Sequence, residues 1–198
     1  MSRPCDSAAP EARALVISPE APYPPVGGGA LRTASLLEYL SQRYAVDLIV
    51  FREPRCPDPR SALPDGKFRD VHVQDLPAHS SRRAARLARN LRRMAQGRPP
   101  LNDRFEGFVP AVAEWLEGRH YELAVIEHFW CARYAEVLRP RARRLVLDLH
   151  NVESELYRRL AESESLALRP VFRRFAECCR RMERRWLPAF DLVLTASR

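Results

Sequence analysis

Short apolar runs alternate with longer stretches of helical periodicity along almost the whole chain. The apolar runs are rich in β-branched residues and end at glycine, proline or polar turns, which is typical of buried strands. The predicted strands are 12–18, 45–51, 69–76, 122–128, 144–150 and 190–197. The predicted helices are 31–44, 80–97, 110–118, 130–138, 152–163 and 167–186. This alternation predicts βαβ units, so we expect an α/β fold: a Rossmann-like parallel sheet with helices on both faces.

A triglycine turn, Gly27, Gly28 and Gly29, separates the first predicted strand from the first helix. In an α/β sheet this is a phosphate-binding position, because glycines let the backbone approach an anion and the helix offers free N–H groups. Arg32 adds positive charge nearby. The pattern is not GxGxxG, and no P-loop lysine follows, so neither motif is predicted. The alternative is a flexible turn without a ligand.

The composition is that of a globular domain with a basic surface. Among the 198 residues, 46% are hydrophobic and 29% charged, and the formal net charge is +8, almost all of it from arginine. Such a balance favours phosphate-bearing partners: nucleic acid, anionic lipid or phosphorylated small molecules. The five cysteines have no CxxC spacing, so we expect them to be reduced. With no signal peptide or membrane span evident, we expect a cytoplasmic protein.

Residues 1–12 are predicted to be a disordered tail, and 13–198 to form one domain. The sequence ends directly after a predicted strand, where a covering helix normally follows. We therefore expect a further segment to follow the sequence given.

Several polar residues follow predicted strands and are candidates for chemistry. Glu127 and His128 pair a carboxylate with an imidazole, which suits a general base, or else form an ordinary polar loop. His150 lies at the carboxyl end of the fifth predicted strand and Asn151 follows it; Asn151 is also suited to cap the next helix. Ser197 ends the last strand and either contacts phosphate or caps a helix. No histidine or cysteine cluster has metal spacing, so no metal site is predicted.

The helix at 80–97 carries arginines along most of its length. Leu87, Leu91 and Met94 recur at helical spacing, so one interpretation is a surface helix packed by that stripe. The other is an interfacial helix that meets anionic lipid. The helix at 167–186 is expected to bury Phe172, Phe175, Cys179, Met182 and Trp186 and to expose its arginine pairs.

Three segments resemble the N-terminal domain of family 4 glycosyltransferases of the GT-B fold, in particular bacterial members that build polysaccharides. These are PYPPVGGGALRTASLLEYLSQRYAVDLIVF, LVLDLHNVESELYRRLA and ERRWLPAFDLVLTASR, which start at residues 22, 145 and 183. VIEHFWCARYAEVL, from residue 125, is similar to a further segment of that family. The resemblance spans about 13–198, and the order of the segments is more specific than any one of them.

The resemblance implies one half of a two-domain enzyme. The N-terminal domain would bind the acceptor, a glycan or a lipid-linked molecule, and an absent C-terminal domain would bind the nucleotide-sugar donor. The glycine loop would face the donor diphosphate, and His150 would face the transferred sugar. We further expect transfer with retention, no cofactor or metal, and no activity of this half alone. Peripheral contact with the inner face of a membrane is expected only from the interfacial interpretation of the arginine-rich helix at 80–97. The alternatives are an arginine-rich nucleic-acid-binding α/β module and a stand-alone domain for a phosphate ligand.

Overall fold

The computed structural model describes residues 12–78 and 82–195, which form one parallel six-stranded sheet. The strand order is β3-β2-β1-β4-β5-β6. The strands are β1 (Arg13–Ser18), β2 (Ala45–Arg52), β3 (Asp70–Asp75), β4 (Tyr121–Glu127), β5 (Ala142–Leu149) and β6 (Leu192–Thr195). Since the chain starts in the middle, builds outward to β3 and returns to β4, the order reverses between β1 and β4. In such sheets that reversal opens a crevice at the carboxyl ends of the strands.

Seven α-helices and four short 3₁₀ segments connect the strands within the described part of the chain. The helices are α1 (Gly28–Ser41), α2 (Arg83–Gln96), α3 (Pro100–Phe105), α4 (Val109–Trp115), α5 (Ala135–Leu138), α6 (Glu153–Ser163) and α7 (Arg169–Trp186). α6 and α7 pack against each other as a helical hairpin. The Rossmann-like α/β fold predicted from the sequence is confirmed.

Apolar layers cover both faces of the sheet, as the alternation along β1 illustrates. Leu15 and Ile17 point into one layer and Ala14 and Val16 into the other, and all four are fully buried. The four inner strands β1, β2, β4 and β5 therefore contain continuous apolar runs, as expected for a parallel sheet, whereas the edge strand β3 alternates and is only partly buried.

A buried carboxylate holds the amino ends of three strands together. Asp47 of β2 has no solvent exposure; it accepts two hydrogen bonds from Arg69 and one from the Tyr121 hydroxyl, 2.8 Å away. Arg119 lies 3.6 Å from the same carboxylate. A buried charge needs partners of this kind, so the group holds the starts of β2, β3 and β4 together.

Four details of the helices differ from the sequence predictions. α1 begins at Gly28, so two of the three glycines lie inside the helix rather than before it. α3 was not predicted, although Pro99 and Pro100 provide a suitable helix start. The first part of the helix expected at 130–138 is 3₁₀ in geometry. In α2, Leu87 and Leu91 are exposed, so the packed stripe predicted for this helix is wrong.

Other expectations agree with the structure. Gly97 ends α2 in a left-handed conformation with φ of +63°, as its role as a helix stop requires. In α7, Phe175 and Cys179 are buried and the arginine pairs are exposed. The four cysteines within the described ranges are free: Cys56, Cys131, Cys178 and Cys179.

Candidate functional site

The carboxyl ends of the three central strands bring polar residues together at the crevice. Ser18 ends β1, Glu127 ends β4, and Asp148 is the register partner of Glu127 on β5. All three are buried. The first two turns of α1 lie beside them and contribute Arg32 and Thr33. This edge is where ligands bind in sheets of this topology.

The triglycine turn presents the start of α1 to open space. Gly27 adopts φ +89° and ψ 162°, a conformation essentially restricted to glycine. No side chain caps the helix, and a Cβ added at Gly27 or Gly28 would meet no atom within 4 Å. A Cβ at Gly29 would lie 3.8 Å from the His150 ring. The first N–H groups of a helix have no partner within it, so this turn presents donors next to His150.

Glu127 is a fully buried carboxyl with a strongly perturbed pKa. Its Oε2 lies 2.9 Å from the Ser18 hydroxyl and 2.5 Å from the Thr33 hydroxyl, while its Oε1 is buried with no hydrogen-bond partner. Each hydroxyl also contacts a backbone carbonyl, of Glu20 and Gly29 respectively. Two hydroxyl hydrogens cannot serve four contacts, and a proton on the carboxyl would supply a third. Burial raises the pKa of Glu127 to about 7 and outweighs the hydrogen bonds from Thr33 and Ser18, which lower it.

Arg32 and Asp148 form a bidentate ion pair across the crevice. The Arg32 Nε donates to Asp148 Oδ2 at 2.9 Å, and Nη2 donates to Oδ1. Asp148 is buried, whereas about a third of the Arg32 side chain remains exposed. The hydrogen bond to Asp148 raises the pKa of Arg32, so the guanidinium is a permanent cation. It neutralises Asp148 and keeps one side available to solvent.

The His128 ring lies between two other rings, stacked on Trp130 and tilted by 34° against His150. Its ring centroid lies 3.7 Å from that of His150 and 4.2 Å from that of Trp130. Burial lowers the pKa of His128 to about 3 and also lowers that of His150, so both imidazoles are neutral near pH 7. The His128 backbone has φ +59°, which is unusual for a non-glycine residue. Its backbone N–H donates to the Asp148 carbonyl at 3.0 Å.

A second buried carboxyl, Glu153, supports this stack. The Trp130 indole N–H donates to Glu153 Oε1 at 3.0 Å, and burial raises the pKa of Glu153 to about 7. At the next residue, Ser154, the backbone amide donates a hydrogen bond to Glu183 of α7 at 2.9 Å. A carboxylate at a helix N-terminus satisfies a free donor and interacts well with the helix dipole. The α6–α7 hairpin therefore fixes the position of Trp130.

Three groups of the site are close enough to share a cation. Glu127, Asp148 and His150 each offer a ligand atom, and these atoms lie within 4.8 Å of one another. Arg32 already supplies a positive charge to Asp148. A divalent ion would therefore have to compete with an ion pair that is in place.

A largely apolar pocket of about 530 Å³ opens beside the site. Trp130, Phe105, Phe51 and Tyr23 provide aromatic walls, and Glu20 of the glycine loop lies at its side. Trp130 lines the pocket on one side and stacks on His128 on the other. A molecule in this pocket would therefore be separated from His128 by the Trp130 ring.

Some of the site residues that the sequence predicts lie together in the structure, and others do not. Gly29, Arg32, Glu127, His128 and His150 lie together at the crevice. Asn151 is exposed beside them; α6 begins after Val152 without a side-chain cap, so the capping role predicted for Asn151 is wrong. Ser197 lies outside the described residues.

Sequence reasoning missed Ser18, Thr33, Asp148, Trp130 and Glu153. Asp148 and Ser18 carried a detectable signal, since each is a polar residue at the carboxyl end of a predicted strand. Thr33 and Glu153 lie on helical positions that sequence patterns do not separate from ordinary ones.

No protein-family model matches the chain, and no curated protein matches it. Among solved structures, the chain is similar to sucrose-phosphate synthase from Thermosynechococcus elongatus, with a TM-score of 0.56 and 16% identity over 93% of this chain and 47% of that one. It also matches a UDP-glucosyltransferase from Polygonum tinctorium, with a TM-score of 0.47 and 12% identity over 96% and 48%. A third match is a putative short-chain alcohol dehydrogenase from Burkholderia multivorans, with a TM-score of 0.43 and 12% identity over 92% and 82%.

The first of these likenesses establishes the fold, and the chain spans about half the length of that structure. Within residues 12–78 and 82–195, no helix has the length and apolar character needed to cross a bilayer.

Proposed function

We propose that this chain is the acceptor-binding half of a GT-B glycosyltransferase. The complete protein would transfer a sugar from a nucleoside-diphosphate donor to a hydroxyl of a glycan or a lipid-linked acceptor. The observation that carries the proposal is the uncapped start of α1 at Gly27 and Gly28, open to solvent beside His150. The sequence resemblance to family 4 and the fold shared with sucrose-phosphate synthase support it.

The glycine turn supplies what a departing diphosphate needs. As the sugar leaves, negative charge accumulates on the phosphate, and preorganised N–H donors stabilise that charge. Arg32 adds a cation whose orientation Asp148 fixes. Because Gly28 has no Cβ, the anion can approach the backbone closely. The donor itself would be carried by a second domain that faces this edge.

His150 is the group best placed to contact the transferred sugar. It is only partly buried, whereas Glu127 has no exposure and lies behind it. His128 is also buried, with its ring between His150 and Trp130, so neither Glu127 nor His128 is open to an acceptor hydroxyl as a free base. This arrangement favours transfer with retention, in which the leaving phosphate accepts the acceptor proton, over direct inversion by a protein base. The apolar pocket beside Trp130 would hold the acceptor.

The test is an assay of the complete protein encoded by the gene, with a panel of UDP-, GDP- and ADP-sugars. We expect release of nucleoside diphosphate on addition of acceptor, and proton NMR of the product should report the donor's anomeric configuration. His150→Ala should reduce kcat at least a hundredfold. His120→Ala, at the opposite edge of the sheet, is the matched control and should leave kcat unchanged.

The 198-residue chain is the second arm of the test. By itself it should show no turnover and only weak donor binding in isothermal titration. Micromolar affinity of this chain for a nucleotide-sugar would contradict the proposal, as would a complete protein that hydrolyses or transfers none of the sugars.

A further inference from the structure

Helix α2 carries its apolar side toward solvent. Leu87 and Leu91 are 61% and 56% exposed, and the alanines at 84, 88 and 95 are exposed as well. At 3.6 residues per turn these five positions fall within an arc of about 100°. An arc of this width normally faces the core of a protein, so here a continuous apolar stripe lacks a protein partner among the described residues.

The opposite side of α2 faces the protein body through arginine. Arg93 is buried, and its Nε donates to Asp103 of α3 at 2.9 Å. Arg89 is half-buried on the same side, and the helix contacts α3 and α7. The amphipathic arrangement is therefore the reverse of that in an ordinary surface helix.

Positive charge borders the exposed stripe on both sides. Arg83 and Arg92 are exposed and flank it on the helical projection. Between residues 82 and 98 the sequence contains seven arginines and no acidic residue. A second copy of this helix would place arginine against arginine, whereas anionic lipid headgroups complement the charge while acyl chains accept the leucines.

We propose that α2 docks the protein on an anionic bilayer, with Leu87 and Leu91 inserted below the headgroups and Arg83 and Arg92 bound to lipid phosphates. This inference goes beyond the proposed function and does not depend on it, since it concerns a different surface. It selects the interfacial interpretation of this arginine-rich helix over the packed one.

The test is co-sedimentation of the full chain with vesicles of phosphatidylcholine and phosphatidylglycerol in equal amounts. We expect binding that vanishes on pure phosphatidylcholine and weakens at least tenfold between 0.1 M and 0.5 M NaCl, because the attraction is partly electrostatic. The double variant Leu87→Ser with Leu91→Ser, called the serine pair, should weaken vesicle binding at least tenfold. Leu166→Ser, at a position 78% exposed in the α6–α7 connection, is the matched control and should bind as the unmodified chain does.

A second variant keeps the test decisive if the serine pair lowers stability. Arg83→Gln combined with Arg92→Gln should weaken binding about fivefold per arginine and reduce its salt dependence. Equal binding of the serine pair and the Leu166 control would overturn the proposal, and so would the absence of binding to anionic vesicles. Dimerisation through the stripe, detected by sedimentation equilibrium without lipid and lost in the serine pair, would assign the surface to a second copy instead.

Discussion

Replacing Glu127 with glutamine should stabilise the protein at alkaline pH. The carboxyl is fully buried, and burial raises its pKa from 4.5 to about 7. Between these two values the folded protein holds the proton while the unfolded chain has released it. Unfolding free energy therefore falls as pH rises from about 4.5 to 7, and above pH 7 the ionised carboxylate costs the folded state about 3 kcal/mol.

Glutamine has nearly the same shape and keeps one oxygen to accept from Ser18 and Thr33, but it does not ionise. At pH 5 the variant and the unmodified protein should differ by less than about 1 kcal/mol, and at pH 8 the variant should be more stable by about 3 kcal/mol. Urea denaturation across this range measures both values. Glu153 also has a raised pKa, but it is present in both proteins, so its titration cancels in the difference.

Glu117→Gln is the matched control, because Glu117 is an exposed carboxylate at the end of α4. Its stability difference should stay within about 0.5 kcal/mol at every pH. A stability difference for Glu127→Gln that does not change between pH 5 and pH 8 would refute the reasoning. It would mean that Glu127 is ionised in the folded protein at low pH, with partners stronger than the two hydroxyls.

Other predictions follow from the same contacts. Gly28→Ala should raise the unfolding free energy by up to about 1 kcal/mol, because its Cβ enters open space at a helix start, yet it should weaken donor binding to the complete protein at least tenfold. Gly27→Ala should instead lower stability by about 1–3 kcal/mol, because φ is +89°; thermal unfolding and donor titration separate the two. Arg32→Met should destabilise by about 3–5 kcal/mol by leaving Asp148 buried and unpaired, and a double-mutant cycle with Asp148→Asn should recover part of that loss. His128→Phe should keep the ring contacts. Through His128 the unmodified protein should lose about 1.4 kcal/mol of stability per pH unit below pH 6.5, because the unfolded chain takes up a proton that the buried imidazole does not. The variant should lack this contribution, as urea denaturation at pH 4 to 6 would measure.

The strands of the sheet could be predicted from the sequence because the local pattern of residues agrees there with the buried environment. Strands buried on both faces must be continuously apolar, so each left a compact signal. Gly97 likewise ended α2 as expected, since a left-handed residue there needs glycine. The start of α1 was missed because glycine has low helix propensity, while the folded chain tolerates it in an open first turn.

The site was only partly predictable, because its geometry depends on contacts between distant positions. Arg32 and Asp148 are 116 residues apart, and nothing local in either segment indicates the other. The predicted orientation of α2 was wrong for a similar reason. Periodicity located its apolar stripe at Leu87 and Leu91 correctly, but only the surrounding structure determines which side of a helix packs inward.

Thr33 joins the glycine turn to the buried carboxyl, since its hydroxyl contacts both the Gly29 carbonyl and Glu127. An anion held at the start of α1 would therefore act on a group that is about half ionised near neutral pH. Its negative charge would make ionised Glu127 less favourable, so ligand binding and proton uptake would be thermodynamically coupled. Donor affinity would then decrease as pH rises through about 7, and the heat of binding would vary with the ionisation enthalpy of the buffer.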